Sequence, residues 1–201
     1  MKLKLLKPYD SGYVAFSGGG DSTALALSLI DKGKSISLLF FNHGIAEDDE
    51  AEEHSLKFAK EFNLRIHTGH IGVGSFGGSS VEDYWRKKRY EFFSQFSDYP
   101  IYLGHHFDDV LETYCQSFFT GTPKLIPFKH GENIYRPLLD IDKKQILKFL
   151  KFKGVDYIDC ETNKDIRYSR NRVRHVLLPI LEDYDPHLRN TIKRKLRKSL
   201  L

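Results

Sequence analysis

Three short stretches carry residue types whose spacing can do chemistry. Ser17-Gly18-Gly19-Gly20-Asp21-Ser22 stands where an apolar run, 13–17, gives way to a helical pattern over 21–33. Glycines let backbone N–H groups approach an anion closely, and a following helix start adds partial positive charge. The stretch therefore reads as a phosphate cradle, or as a tight strand-to-helix turn that uses glycine for its own sake. It is not GxxxxGK[ST], because no Lys follows the glycines, and it is not GxGxxG, because Asp21 follows Gly20 at once. In the second stretch, "LGHHFDDVLET" (103–113), Asp109 and Glu112 lie three apart and share one face of a helix beginning near Asp108. Two such carboxylates can bind an ammonium, coordinate Mg²⁺ or move a proton, and acids are also favoured at any solvated helix start. A zinc set built from His105, His106, Asp108 and Asp109 lacks a second His or Cys cluster to complete it. The third group is cationic: Arg86 and Arg89 on one helix, and Arg170, Arg172 and Arg174 on another. Each suits phosphate contacts, solvated faces or bracing of the domain.

The elements that must position these residues alternate. Strand-like runs at 13–17, 35–41, 65–71 and 101–106 are separated by helical patterns at 21–33, 48–63 and 81–96, with another helix at 108–119. Asp142 is a candidate N-cap and Gly154 a candidate C-terminal stop for a helix over 142–154. The run 169–184 reads as helix interrupted near Pro179. Continuous apolar strands alternating with helices imply an α/β fold, a twisted parallel sheet with helices on both faces. Such sheets bind ligands outside the carboxyl ends of their strands, where "SGGGDS", "NHG" and "GHHFDD" all fall. The glycine-rich segment 72–80 reads as a loop, either a cover for that site or a plain connection.

The bulk numbers narrow the class. With 201 residues, 40% hydrophobic and 29% charged, the chain suits one globular domain with a small appendage. No apolar run approaches the roughly 20 residues of a membrane span, and the start is too short in apolar residues for a secretory signal. Cys115 and Cys160 make no disulfide framework, so a cytoplasmic setting is expected. Net charge is only +4, but 189–201 holds six Lys or Arg and no acid. That stretch reads as a basic tail for a phosphate-rich partner or as a solvated helix face.

The glycine stretch resembles the SGGxDS PP-loop of the N-type ATP pyrophosphatases, and further motifs resemble one branch of them, the tRNA(Ile)-lysidine synthetases. His105, His106, Asp109, Glu112 and Thr113 match H-H-x-x-D-x-x-E-T. Glu82, Arg86, Arg89 and Tyr90 match E-x-x-A-R-x-x-R-Y, with Trp85 in place of its Ala. The segments 42–64, 135–146 (R-P-L-L) and 159–181 follow in the family's order, so the likeness runs over about 12–185. Ala46 stands where the family often has Arg, and Gly121-Thr122-Pro123 replaces its G-x-G.

The resemblance implies the adenine-nucleotide α-hydrolase-like fold, a catalytic domain at 1–185 and a basic tail at 186–201. It implies ATP held by Ser17, Gly18, Gly19, Gly20, Asp21 and Ser22, with Mg²⁺ arranged by Asp21. The catalytic set is Asp21, Arg86, Asp109 and Glu112, with free L-lysine on Asp109 and Glu112. Arg89, Arg170 and Arg174 face a CAU-anticodon isoleucine tRNA. The implied reaction adenylates the wobble cytidine and ligates lysine to its C2. Familiar members carry further C-terminal domains that grip tRNA, so a second copy of the chain or another partner is an expected source of that surface. Two rivals remain at this level. A tRNA thiolase of the same superfamily would need reactive cysteines, and Cys115 falls mid-helix while Cys160 is solitary. A relative that binds nucleotide or RNA without turnover is the other.

Overall fold

The computed structural model describes residues 1–71, 81–159, 166–167 and 169–200; the 72–80 loop, Cys160 and most of the stretch after it, and the side chain of Glu82 lie outside the described residues. The central sheet takes in β1 (Ser11–Ala15), β2 (Ser35–Asn42), β3 (Arg65–His70), β4 (Ile101–Tyr102), β5 (Lys129–His130) and β6 (Ile134–Tyr135). Their order is β3-β2-β1-β4-β6-β5, parallel except for the β5–β6 pair. The sheet is therefore mixed. The two short strands β5 and β6 have too few residues for any periodicity to reveal them.

β2 shows why helices cover both faces. Leu38 packs in a cluster with Val14, Leu25, Phe58 and Phe149, while the adjacent Leu39 joins Phe41, Phe92, Phe93 and Ile101. Successive strand side chains point to opposite faces, so this apolar run must be buried twice. The first face carries α1 (Gly20–Ile30), α2 (Ala46–Glu61) and α5 (Lys143–Lys153), and the second carries α3 (Val81–Phe93). α5 starts at the Asp142 cap and stops at Gly154, whose φ of 64° is left-handed.

β4 is shorter than its apolar run suggests. Leu103 still donates its N–H to Tyr135 O (2.8 Å), and then the chain leaves the sheet toward α4 (Phe107–Phe118). That departure carries Gly104, His105 and His106 off the sheet. In 169–184 the interruption precedes Pro179: α6 (Ser169–Arg172) passes through a π-helical turn, Val173–Leu177, into α7 (Leu178–Tyr184). Proline lacks the N–H that the fourth residue back would receive, which favours a widened turn just before it.

The basic stretch is no solvated tail. It forms α8 (Leu188–Ser199), with Ile192 and Leu196 buried among Phe107, Val110 and Leu111 of α4. Its cations answer carboxylates of the body: Arg189 pairs with Asp108, Asp142 and Glu182, Lys193 with Asp142, and Arg197 with Asp140. Leu196→Ala is therefore expected to lower unfolding free energy by about 2–4 kcal/mol. Denaturant melts would show it, and a loss within about 0.5 kcal/mol, usual for surface positions, would mean that α8 does not dock.

Candidate functional site

β1 is flanked by β2 and β4, so the chain crosses the sheet between β3 and β4, and the crevice at that reversal is where open α/β sheets bind ligands. A cavity of about 390 Å³ opens there. Its apolar wall is Phe16, Leu39, Phe41 and Leu103 from the strand ends. The polar part of its lining is Ser17, Asp21, Ser22, Asp109 and Lys143, with Arg86 and Arg89 from α3 and Arg170 and Arg174 from the α6 region. The apolar part suits a planar apolar group and the cationic part an anion.

The glycine loop is shaped by its own atoms. Gly18 has φ of 72°, a conformation an L side chain adopts only under strain. Its carbonyl accepts the N–H of Ile158 at 2.9 Å, which ties the loop to the strand-like exit of α5. Ser22 Oγ donates to Gly19 O (2.9 Å) and accepts the N–H of Ser17 (3.2 Å), closing the turn. The first-turn N–H groups of α1 lack intrahelical partners, as at any helix start, and suit phosphate oxygens. Gly104 lets the two strand ends meet: a Cβ there would lie 3.2 Å from both the Asp21 carbonyl carbon and the Ser22 nitrogen. Backbone yields less readily than a side-chain tip, so a side chain at 104 would force the start of α1 to shift by a few tenths of an ångström.

Asp21 faces the cavity from the first turn of α1. Its Oδ1 lies 2.6 Å from Lys143 Nζ, and its Oδ2 lies 3.4 Å from His106 Nε2. Burial works against the charge, yet His106 and Lys143 together hold this carboxyl down to about 2. Among the described residues no group of three or more His, Cys, Asp or Glu is placed to cage a metal. Asp21 fits a Mg²⁺ ion held mainly by phosphate oxygens and water, a mode that takes one or two carboxylates.

The α4 carboxylates do share one face, as their spacing predicts. Asp109 reaches back to accept the His106 N–H (2.8 Å), which fixes the helix start. Arg170 Nη2 donates to Asp109 Oδ1 (2.5 Å) and its Nε to Glu112 Oε2 (2.7 Å). Arg174 Nε donates to Glu112 Oε1 (2.5 Å). Glu112 is 0% exposed and does not line the cavity, whereas Asp109 does. Glu112, expected to contact a ligand directly, sits here behind two guanidinium groups that close over it. Arg170 and Arg174, expected at an RNA surface, spend donors on bracing α6 against α4, the other role open to them.

Arg86 lies over the Tyr90 ring at 5.1 Å and lines the cavity beside Arg89. Burial destabilises the Arg89 charge, and Tyr90 and Asp48 offset it only in part. An anion near it would relieve that cost. Asn42 organises the turn after β2: its side chain donates to Asp49 and Glu52 and accepts the N–H of Gly44. His43 then enters the cavity wall against Trp85, with ring centroids 5.3 Å apart. Cys115 is buried in α4, and burial pushes its thiol up, the opposite of an activated sulfur. Lys143, Gly104 and His43 belong to the site without having been singled out as site residues from sequence. Asp21 and Lys143 lie far apart along the chain, so no local pattern links them.

The two adjacent histidines titrate oppositely. Burial drives His105 down to about 4, while Asp109 and Asp21 overcome burial at His106 and raise it above its ordinary 6.5. His106 therefore adds stability that is full below 6.5 and lost as pH rises through its folded value. His105 does the reverse, losing stability as pH falls from 6.5 toward 4. Imidazole NMR titration should find His106 charged at pH 6.5 and His105 neutral. Asp109→Asn should bring His106 down, and no change there would remove Asp109 as the cause.

Comparison with known proteins agrees with this geometry. A family model described as a PP-loop domain matches residues 3–181. The tRNA(Ile)-lysidine synthase of Chromobacterium violaceum is 34% identical over 198 residues, covering 90% of this chain and 45% of that protein. That of Persephonella marina is also 34% identical, over 206 residues, covering 95% and 46%. The chain thus spans about half the length of the curated relatives it matches. Among solved structures, the U34-tRNA thiolase of Methanococcus maripaludis aligns with a TM-score of 0.74 at 17% identity, covering 97% of this chain and 74% of that one. An NH3-dependent NAD synthetase from Campylobacter jejuni aligns at 0.51 and 12%, covering 96% and 86%. These two likenesses speak for the fold. With the glycine loop at the sheet's switch point and the family match running nearly the length of the sequence, this chain belongs to the PP-loop domain family.

Proposed function

We propose that this chain uses ATP to join free L-lysine to C2 of the wobble cytidine of a CAU-anticodon isoleucine tRNA. One observation carries the reading: the glycine loop and the His105–Thr113 motif open on a single cavity, in a chain similar to tRNA(Ile)-lysidine synthases. In the first step cytidine O2 bonds to the α-phosphorus as the bond to the β-phosphate oxygen breaks, releasing pyrophosphate. In the second, the lysine ε-amine bonds to C2, the C2–O2 bond breaks, AMP departs with that oxygen, and the nitrogen loses a proton.

The residues have distinct tasks in this scheme. First-turn N–H groups of α1 and the Ser17–Ser22 loop hold phosphate oxygens where negative charge grows. Mg²⁺, held by Asp21, would supply charge neutralisation on those oxygens. Arg86 and Arg89 bind phosphate of the nucleotide or of the RNA strand. Asp109 meets the substrate ammonium at the cavity wall, and Glu112 acts from behind by holding Arg170 and Arg174. The apolar wall of Phe16, Leu39 and Phe41 takes adenine and excludes water.

The sulfur-transfer alternative finds less support, since Cys115 is buried and the chain has only one other cysteine. The test is incorporation of labelled lysine into transcribed isoleucine tRNA bearing CAU, with ATP and Mg²⁺. Stoichiometric lysine incorporation with AMP release is expected. A folded, ATP-binding chain that incorporates none would overturn the ligase reading.

A further inference from the structure

On the reading of the cavity as an ATP site, we propose that Lys143 is the cation of its phosphate subsite, contacting the β- and γ-phosphates and then the departing pyrophosphate. The glycine loop has no lysine after it, so nothing within the loop supplies the point charge that a GxxxxGK[ST] loop carries internally. Lys143 arrives from the start of α5 instead. Its Nζ stands 2.6 Å from Asp21 Oδ1, and it lines the same cavity as Ser17 and Ser22. An ammonium has three N–H donors. Asp21 takes one, and the side chain lines the cavity and is 37% exposed, so donors remain for a ligand.

The backbone of Lys143 is fixed with care that a surface lysine would not need. Its N–H donates to Asp108 Oδ2 at 2.7 Å. The other oxygen of Asp108 takes Arg189 Nη2 (2.9 Å), which also binds Asp142 Oδ1 (2.7 Å), the cap residue just before Lys143. Lys193 Nζ holds the second Asp142 oxygen at 2.6 Å. The cations of α8 thereby anchor the first turn of α5, and only the flexible stem of Lys143 is left to move. A preorganised cation beside the loop adds attraction for a polyanion without ordering cost at binding. Asp21 parks the ammonium at hydrogen-bond distance from the space the phosphates would enter.

The test is equilibrium binding of ATP, pyrophosphate and AMP to the full chain, wild type against Lys143→Ala and Lys143→Arg, in the presence of Mg²⁺. Lys143→Ala is expected to weaken ATP and pyrophosphate by about 10- to 100-fold while AMP stays within about twofold. Lys143→Arg should recover most of the loss. AMP binding doubles as proof of folding, and Lys143→Met, which keeps the aliphatic stem, is read in the same way if Lys143→Ala does not fold. Equal losses for all three ligands would make Lys143 a structural brace and overturn the proposal. Unchanged ATP binding, or tighter binding because Lys143 merely masks Asp21, would overturn it as well. A wild-type chain that binds none of the three ligands overturns the ATP reading itself, a failure seen without any variant.

Discussion

Asp21→Ala is expected to lower lysine transfer by about 100- to 1,000-fold, the cost of losing one preorganised electrostatic group at a reacting centre. Stability should fall by only about 1–2 kcal/mol, shared between Lys143 and the buried His106, which Asp21 faces at 3.4 Å. The Asp21 side chain is 33% exposed and its partner Lys143 is 37% exposed, so their pair is worth no more than about 1 kcal/mol. The turn itself is held by Ser22 and Gly18 rather than by Asp21. Asp21→Asn separates shape from charge, because it keeps the volume and removes the anion. If the charge matters for arranging the metal and nucleotide, the Asn variant falls nearly as far as the Ala variant. An Asn variant within tenfold of wild type would sink the assignment. The pH profile gives an independent reading. With its carboxyl held at about 2, Asp21 stays ionised throughout the working range. An acid limb above pH 3 in kcat/KM must then belong to another group, and His106 is the neighbour whose value is raised.

The sequence makes the sheet and its loops legible because both rest on local signals. The continuous apolar run of β2, the three glycines before Asp21, and the Asp142 and Gly154 stops of α5 are each readable within a dozen residues. The i, i+3 placement of Asp109 and Glu112 follows from helix geometry alone. What those carboxylates touch does not. Arg170 and Arg174 come from nearly sixty or more residues away, and only the packing of α6 against α4 decides that they meet Glu112 rather than solvent. The same holds for α8. Its charges look like a nucleic-acid tail when counted along the chain, yet Ile192 and Leu196 lie on one face at helical spacing and dock it. Once docked, Arg189 and Lys193 find Asp108 and Asp142, which no linear pattern pairs with them. Lys143 is the sharpest case, since its relation to Asp21 exists only because the end of β1 and the start of α5 meet at the same crevice. β5 and β6 are illegible in the sequence for a different reason: two residues carry no periodicity.

Glu112→Gln is expected to cost about 3 kcal/mol of stability, the low end for breaking a buried ion pair. Full burial of Glu112 favours a large effect, because its charge is justified only by Arg170 and Arg174. The arginines pull the other way: at 46% and 33% exposure they can rehydrate once released. The melting temperature should fall by roughly 6–12 °C for a chain of this size. Combining Glu112→Gln with Arg174→Gln should cost less than the sum of the two single changes by about 0.5–3 kcal/mol, the sign of a direct pair. A stability loss below about 1 kcal/mol would mean that the pair is not formed in solution. Function should suffer through charge balance. Asp109 and Glu112 offset Arg170 and Arg174 two for two; remove one carboxylate and one guanidinium charge is left uncompensated beside Asp109, where the substrate ammonium must approach. KM for lysine should therefore rise by more than kcat falls, whereas ATP binding should hold. Glu112→Asp, which restores the charge on a shorter stem, should recover part of the lysine affinity even if the melting temperature stays low. An equal loss of lysine and ATP affinity would assign Glu112 to the fold alone.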